Sequence, residues 1–207
     1  MENKIVPLSM DLSSPAAAQE LAQLLQEKQP IICFLINNAG VGKMGSYADF
    51  SLAEVQKTIS LNCGSVAALC TIGIPYMEPQ SHILNIASQA AFQPDPYINL
   101  YAAGKAFVRS YTRALNVELA GTGITATAVC PGWVKTELLA FEKNGIEIKF
   151  PGLVDPDRVV RLAIKDAKKR KDMSVCTLYV KFMHLLAKLF PQKLVMKTWC
   201  RQIRNYI

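Results

Sequence analysis

The sequence lacks the marks of metal-binding, disulfide-bonded and secreted proteins. Its six cysteines show no Cys-x-x-Cys spacing and lie mostly in apolar runs, so we expect reduced, buried thiols, no disulfides and no metal site. The amino terminus, MENKIVPL, contains no apolar signal-peptide segment. No uncharged apolar run reaches ~18 residues, the length that a membrane-spanning helix needs. The sequence therefore predicts a cytoplasmic protein without a transmembrane helix.

The composition predicts one globular domain with a basic carboxy-terminal part. The 207 residues are 51% hydrophobic and 19% charged, which suits a chain with a sizeable core. Lys and Arg number 23 against 16 Asp and Glu, giving a net charge of +7, and much of the excess lies in residues 158–204. Such a segment could meet a membrane surface or a nucleic acid. Because no nucleic-acid motif accompanies it, we expect no nucleic-acid partner.

Strand and helix patterns alternate along the chain. Apolar runs predict strands at 5–12, 31–36, 82–87 and 124–130. Helices are indicated by Ser14 followed by Pro15, by the capping box Ser51-x-x-Glu54, and by the patterns over 98–119 and 155–171. The alternation predicts an α/β fold with a doubly wound parallel sheet, whose ligands lie at the carboxyl ends of the strands.

Ser88, Tyr101 and Lys105 form the first group of candidate catalytic residues. Ser88 follows a buried strand, and Tyr101 and Lys105 are four residues apart on a predicted helix, which places them on one face. A cation beside a phenol favours the phenolate, so we expect Lys105 to lower the pKa of Tyr101. Ser88 could then hold a substrate oxygen while Tyr101 gives or takes its proton. The alternative is a chance pair on a solvated helix face.

Asn62 is a polar residue in the apolar stripe of the helix that begins after Ser51. A buried amide needs hydrogen-bond partners. Either neighbouring backbone groups satisfy the amide, or it holds a water molecule near the site. Periodicity leaves both interpretations open.

The order of these motifs identifies a family. NNAG at 37–40, Asn62, Ser88, Tyr101-x-x-x-Lys105 and PGWVKT at 131–136 follow one another at characteristic intervals. The chain resembles the classical short-chain dehydrogenase/reductase family from about Ile5 to Thr136, and more weakly to about Val180. The resemblance implies a Rossmann-like sheet, incomplete at the amino terminus because the glycine-rich turn T-G-x-x-x-G-x-G and its βαβ unit are missing.

The resemblance also implies roles for individual residues. Tyr101 would be the general acid/base, Ser88 would orient the substrate oxygen, and Lys105 would bind the nicotinamide ribose. Asn62 would support a proton-relay water. The cofactor would be NADP or NAD; the residue that usually selects between them lies in the missing unit, and we favour NADP only slightly. Cofactor contacts would come from Asp11 and Leu12 at the adenine, Asn38, Ala39 and Gly40 at the ribose, Tyr101 and Lys105, and Pro131, Gly132, Val134 and Thr136 at the carboxamide.

Two functions remain open at this point. The first is an NAD(P)-dependent oxidoreductase that interconverts a ketone and a secondary alcohol, with this chain a truncated form or an incomplete reading of the gene. The second is a non-catalytic pseudoenzyme or interaction module that cannot bind the dinucleotide. Because a strand would be missing beside residues 31–36, we expect the chain alone to expose an apolar sheet edge, to fold poorly and to bind NAD(P) weakly.

The substrate is predicted to be an apolar carbonyl or alcohol compound, such as a steroid-like or acyl molecule. This prediction depends on apolar residues after the PG turn, where a flap would cover the site. Core packing explains the same residues equally well. They are Trp133, Leu138, Leu139, Phe141 and Phe150.

We divide the chain into a truncated dinucleotide-binding domain, 1–180, and a basic amphipathic extension, 181–207. Residues 178–206 are predicted to form one or two amphipathic helices. Their apolar faces could pack on the sheet or on a partner subunit in a homo-oligomer. Their basic stripes could instead dock peripherally on a membrane surface.

Overall fold

The core of the protein is a four-stranded, fully parallel sheet. The structure, a computed structural model, describes residues 5–137, 139, 142, 143 and 146–203. The sheet has the order β1-β2-β3-β6, so that successive strands lie beside one another. These strands are β1 (Phe34–Asn37), β2 (His82–Ile86), β3 (Thr125–Val129) and the short β6 (Met173–Ser174). A two-residue antiparallel pair, β4 (Glu142–Lys143) with β5 (Ile146–Glu147), lies outside this sheet.

Helices connect the strands and cover the sheet. The continuous helix Leu52–Tyr76 consists of α2 (Leu52–Ile59), a π-helical turn at Ser60–Gly64, α3 (Ser65–Gly73) and a short 3-10 turn. The α-helices are α1 (Pro15–Lys28), α2 (Leu52–Ile59), α3 (Ser65–Gly73), α4 (Asn99–Glu118), α5 (Pro156–Lys168), α6 (Leu178–Leu189) and α7 (Gln192–Ile203). Helix starts follow the predicted chemistry, since Ser14 caps α1 and Ser51 forms a capping box with Glu54.

Alternating residues of β2 point to opposite faces of the sheet, as strand geometry requires. Ile83 packs with Leu115 of α4 and Cys70 of α3, whereas Leu84 packs with Ala163 and other residues of α5. All five residues are buried. Both faces of the sheet are therefore covered, which explains why the strands read as continuous apolar runs.

A chain of buried polar side chains ties β1, β2 and α4 together. Asn37 Nδ2 donates to Asn85 Oδ1 at 2.7 Å, and Asn85 Nδ2 donates to Thr112 Oγ1 at 2.9 Å. Thr112 Oγ1 in turn donates to the Val108 carbonyl at 2.6 Å. A buried amide without partners is costly, so this network favours the observed register, in which Asn37 lies opposite Asn85.

The predicted strand at 5–12 is wrong. Residues 5–11 have no regular secondary structure, and Ile5 is 89% exposed. A strand needs a neighbour to satisfy its backbone groups, and β1 pairs only with β2 among the described strands. The Asp11 carboxylate instead accepts hydrogen bonds from the backbone N–H and hydroxyl of Ser13, in the turn that leads into α1.

The remaining predicted elements are present with shorter bounds. The strand predicted at 31–36 is confined to Phe34–Asn37, and the helix predicted at 98–119 is Asn99–Glu118. The carboxy-terminal pattern forms α6 and α7, and the proposed domain boundary after residue 180 lies inside α6. Val180 of α6 is buried in a core cluster with Val108 and Val66, so this helix is part of the folded body.

Helix Leu52–Tyr76 is long and apolar enough to cross a membrane by length and composition alone. Its carboxy-terminal half places Val66, Leu69 and Cys70 in the core. Its middle turn carries Asn62, which is also buried. The carboxy-terminal half of the helix therefore packs in the core, whereas Leu52 and Ile59 in its amino-terminal half are exposed.

Candidate active site

Ser88 is held at the carboxyl edge of the sheet, just after β2. It caps the 3-10 turn Gln89–Phe92, accepting a hydrogen bond from the Ala90 N–H at 3.2 Å. The phenol of Tyr101 lies close enough to Ser88 for the Ser88 hydroxyl to lower its pKa. Ser88 itself is buried. The sequence prediction that these two groups meet at one crevice is matched by their placement.

Tyr101 and Lys105 lie in the first two turns of α4, on the face that meets the sheet. Lys105 is only 5% exposed, and its Nζ donates to the Ile86 carbonyl at 2.6 Å. The same nitrogen lies 5.7 Å from the centre of the Tyr101 ring. The pair is therefore not the solvated surface pair that the sequence left as an alternative.

Burial dominates the electrostatics of both side chains. It raises the pKa of Tyr101, and the hydrogen bond from Ser88 offsets this only in part. Burial also lowers the pKa of Lys105 to about 8, against the opposing effect of Cys63 and Cys130. The expected lowering of the Tyr101 pKa is therefore wrong for the protein alone, because the effect of burial dominates.

Asn62 binds the backbone of the loop after β1. Its Nδ2 donates to the Val41 carbonyl at 2.8 Å, and its Oδ1 accepts from the Val41 N–H at 2.9 Å. Of the two interpretations left open by the sequence, the structure shows the amide that is satisfied by backbone. The amide is 1% exposed, and the π-helical turn that carries it directs it at this loop.

The loop held by Asn62 covers the ring of Tyr101. A Cβ at Gly42 would lie 2.9 Å from Cδ2 of Tyr101, and a Cβ at Gly40 would lie 3.4 Å from Nζ of Lys105. Glycine at both positions therefore lets the backbone approach the two reactive side chains. Sequence reasoning missed Val41 and Gly42, because only tertiary contacts reveal this approach.

The PG turn after β3 lies beside Ser88. The Gln89 N–H donates to the Pro131 carbonyl at 2.7 Å, and a Cβ at Gly132 would lie 2.7 Å from Val180. Gln89 Oε1 lies 3.2 Å from the same Cβ position, and it is buried without a hydrogen-bond partner among the described residues. Sequence reasoning also missed Gln89, whose only sequence signal is its position next to Ser88.

Further along, the PG segment runs to the surface. Val134 forms an isolated parallel bridge with Val154, and Thr136 is exposed. The ring of Trp133 lies 4.9 Å from that of Phe150, and Leu139 is half-buried. Two residues of the predicted apolar flap, Leu138 and Phe141, lie outside the described residues.

Comparison with known proteins decides the family. A family model described as short chain dehydrogenase matches residues 1–146. The chain belongs to the short chain dehydrogenase family. The predicted family resemblance is confirmed.

Curated relatives of this family share the chain's sequence but are longer. Ketoacyl reductase HetN of Nostoc sp. is 30% identical over 169 residues, covering 81% of this chain and 59% of the relative. The probable oxidoreductase EphD of Mycobacterium tuberculosis is 26% identical, covering 91% of this chain and 35% of the relative. This chain thus spans less than two thirds of the length of either protein.

Solved short chain dehydrogenase structures confirm the predicted Rossmann-like fold. The bulky-bulky ketone specific alcohol dehydrogenase from Comamonas testosteroni superposes with a TM-score of 0.70 at 25% identity, covering 88% of this chain and 70% of that one. A short-chain dehydrogenase from Sphingobium yanoikuyae in complex with NADPH gives the same TM-score at 27% identity, covering 86% of this chain and 70% of that one.

The nicotinamide half of the family's dinucleotide fits the residues that this chain carries. Gly40 leaves the backbone open above Lys105 and Asn62, and Gln89 Oε1 is a buried acceptor at Gly132 that would suit a ligand N–H. The pyrophosphate half does not have its family site here, because the sequence contains no T-G-x-x-x-G-x-G turn and no helix start following one.

The predicted adenosine-side residues lie in two separate surface segments. Asn38, Ala39 and Gly40 are exposed in the loop after β1. Asp11 and Leu12 precede α1, where the Asp11 carboxylate lies 3.9 Å from Nζ of Lys57. Their contacts with an adenine or a ribose remain predictions.

Proposed function

We propose that this chain carries the catalytic residues of an NAD(P)-dependent oxidoreductase that interconverts a ketone and a secondary alcohol. The observation that supports it most strongly is the meeting of the Ser88 hydroxyl with the Tyr101 phenol beside the buried ammonium of Lys105. Families of this kind combine a hydride from the cofactor with a proton from the protein. The non-catalytic alternative is not favoured, since the chain keeps the whole reactive group.

The role of each residue in ketone reduction follows from the position of its side chain. The Tyr101 phenol gives its proton to the carbonyl oxygen as the oxygen gains charge, and Ser88 holds the same oxygen through its hydroxyl. A nicotinamide bound near Gly40 and Gly132 would supply the hydride. Lys105 provides a positive charge under this site, and Asn62 keeps residues 40–42 on the ring of Tyr101.

The raised pKa of Tyr101 makes the phenolate harder to form in the protein alone. A phenol that keeps its proton at neutral pH is ready to donate it, whereas alcohol oxidation needs the phenolate as base. We therefore expect ketone reduction to be fast at neutral pH and alcohol oxidation to rise as the pH rises towards the pKa of Tyr101.

The test is Tyr101→Phe in the complete gene product. The variant should lower the turnover of ketone reduction by ~10² or more while NADPH binding changes little, because the ring and its packing remain. Tyr111→Phe is the matched control, since Tyr111 is on the same helix but packs against the core clusters near Cys70. Full activity in Tyr101→Phe would refute the assignment. If the wild type is inactive on every ketone tested with either cofactor, the result favours the non-catalytic alternative.

We propose an apolar substrate of the steroid-like or acyl class. The support is the contact of Trp133 with Phe150 beyond the PG turn and the half-buried Leu139. The names of two similar proteins, a ketoacyl reductase and an alcohol dehydrogenase specific for bulky-bulky ketones, are compatible with it. A panel of bulky apolar ketones and small charged sugars tests the proposal, and activity confined to the sugars would reject it.

We propose NADP over NAD by a small margin. The NADPH complex of a similar structure is the support. Titrating the complete gene product with NADPH and NADH, and following the fluorescence of the reduced nicotinamide, compares the two affinities directly. Tighter binding of NADH would reverse the preference.

We also propose a homo-oligomer formed through the long helices. Ile59 of α2 and Phe107 and Val117 of α4 are exposed apolar residues. Burying them against a second copy would remove apolar surface from water. Sedimentation equilibrium tests this proposal, and a monomer at all concentrations would reject it.

A further inference from the structure

Helix α6 is apolar on two opposite faces. Val180 on the inner face is fully buried, and His184 stacks on Phe92 with ring centres 3.9 Å apart. The outer face carries four large apolar residues in a continuous stripe with the spacing i, i+4, i+7, i+11. These are Leu178, Phe182, Leu185 and Leu189, with exposed fractions of 82%, 57%, 51% and 69%.

Helix α7 continues this surface with positive charge. Its inner face holds the buried Ile203 and Trp199, whose Nε1 donates to the Pro96 carbonyl at 2.9 Å. Its outer face presents Leu194 between basic residues at helical spacing. The exposed residues of this stripe are Lys193, Leu194, Lys197 and Arg201.

The two helices carry charge of a single sign. Residues 178–203 contain Lys181, Lys188, Lys193, Lys197 and Arg201 and no Asp or Glu. In the part of the chain that the structure describes, none of these five side chains forms an ion pair. The combination is unusual for a surface that stays in water, because exposed apolar stripes are normally interrupted by charges of both signs.

We infer that the outer surface of α6 and α7 docks on an anionic phospholipid membrane. The apolar stripe of α6 would enter the headgroup region, and the basic stripe of α7 would lie against the lipid phosphates. Charge complementarity selects this occupant. A second copy docked through the same surface would place like charges opposite one another, which is costly. A nucleic acid would engage the cations but leave the apolar stripe of α6 in water.

Docking would bring the candidate active site close to the membrane. The inner faces of α6 and α7 contact Phe92 and Pro96, which belong to the segment that joins Ser88 to Tyr101. An apolar substrate dissolved in the bilayer would then need to travel only a short distance to reach Ser88 and Tyr101. This consequence rests on the proposed function, whereas the docking itself does not.

The test is co-sedimentation of the complete gene product with vesicles. Phosphatidylcholine vesicles and vesicles containing phosphatidylglycerol are compared at low and high salt. We expect binding to the anionic vesicles at low salt, and a clear loss of binding at high salt. The triple variant Lys193→Gln/Lys197→Gln/Arg201→Gln should lower the coefficient for partition onto anionic vesicles ~100-fold, because each basic residue contributes ~1 kcal/mol. Phe182→Ser/Leu185→Ser should weaken binding to a similar degree.

Two matched variants make the result specific. Lys165→Gln/Lys168→Gln/Lys169→Gln removes the same charge from α5 and the residue after it, and should bind like the wild type. Ile36→Ser removes exposed apolar surface from the edge strand β1 without adding charge, and should also leave binding unchanged. Circular dichroism and the melting temperature of each variant show that it is folded.

Each outcome decides for or against the inference. Anionic binding that is lost in both surface variants and kept in both controls supports it. Absence of binding, or equal loss in the α5 variant, overturns it. The inference is also overturned if the wild type is a dimer without vesicles and Phe182→Ser/Leu185→Ser dissociates it. Binding of RNA in place of lipid overturns it as well. Ketone reduction in the absence of vesicles is a separate readout, so failure of docking leaves the proposed function standing.

Discussion

The buried ammonium of Lys105 should destabilise the folded protein at neutral pH, and Lys105→Met should relieve that cost. Lys105 is 5% exposed, and burial lowers its pKa from 10.5 to about 8. At about 1.36 kcal/mol per pKa unit, the charged side chain costs about 3 kcal/mol when the pH is below 8. Methionine has a similar length and no charge, so it removes this cost without leaving a large cavity.

A second effect opposes the first. Lys105 donates to the Ile86 carbonyl at 2.6 Å, and methionine leaves that acceptor without its partner. Losing this hydrogen bond costs about 1 kcal/mol. We therefore expect Lys105→Met to raise the free energy of unfolding by about 2 kcal/mol near neutral pH, while it lowers turnover by removing the charge below the site.

The pH dependence separates a buried charge from a change in packing. Between pH 8 and 10.5 the folded wild type binds fewer protons than the unfolded chain, so its stability rises with pH across that window. The advantage of the variant should shrink over the same window, vanish before its upper end and reverse there to a deficit of about 1 kcal/mol, because the lost hydrogen bond to Ile86 remains. A pure packing effect would give a difference that does not depend on pH.

Urea unfolding followed by circular dichroism, near pH 7 and near pH 10, measures both quantities. Lys165→Met is the matched control, since it makes the same chemical change at an exposed position of α5. Its effect should be small and independent of pH. If Lys105→Met destabilises the protein at neutral pH, or if its effect is the same at both pH values, the ammonium is not a buried charge of this size.

Two further changes test the loop over Tyr101 and the edge of the sheet. Asn62→Leu should lower turnover and speed trypsin cleavage at Lys43, because Val41 loses its two hydrogen bonds to Asn62. Ser65→Ala on the same helix should do neither. Ile36→Lys should reduce self-association measured by light scattering, because a charge on the exposed edge of β1 opposes pairing with another chain. Val160→Lys, an equally exposed apolar position on α5, should leave self-association unchanged, and equal improvement by both variants would argue against an edge effect.

The meeting of Ser88, Tyr101 and Lys105 could be predicted because its determinants are local. The spacing on α4 sets two of the positions, and the end of an apolar strand sets the third. Val41, Gly42 and Gln89 could not be predicted, because their roles depend on contacts across loops. The direction of the shift in the Tyr101 pKa could not be predicted for the same reason, since burial is a tertiary property.

The predicted strand at 5–12 failed for a different reason. Its apolar run alone predicts a strand, but the run carries no information about whether a neighbouring strand is present. Strands are stabilised by their neighbours, and an isolated apolar segment has no partner for its backbone N–H and C=O groups. Ile5, Val6 and Leu8 are accordingly exposed. Local pattern therefore indicates a tendency to pair, and the neighbouring strand decides whether pairing occurs.

The candidate catalytic residues are held in place without any contribution from residues 5–12. The hydrogen bonds from Asn37 to Asn85 and from Asn85 to Thr112 fix the ends of β1 and β2 against α4. This places the Ile86 carbonyl within reach of Lys105 and the loop after β1 over Tyr101. The proposed proton-transfer geometry thus depends on strands β1 and β2 and helix α4. Pyrophosphate binding depends on a glycine-rich turn that its sequence does not contain. Under the proposed mechanism, changes at Tyr101 should therefore impair proton transfer and leave cofactor affinity little changed.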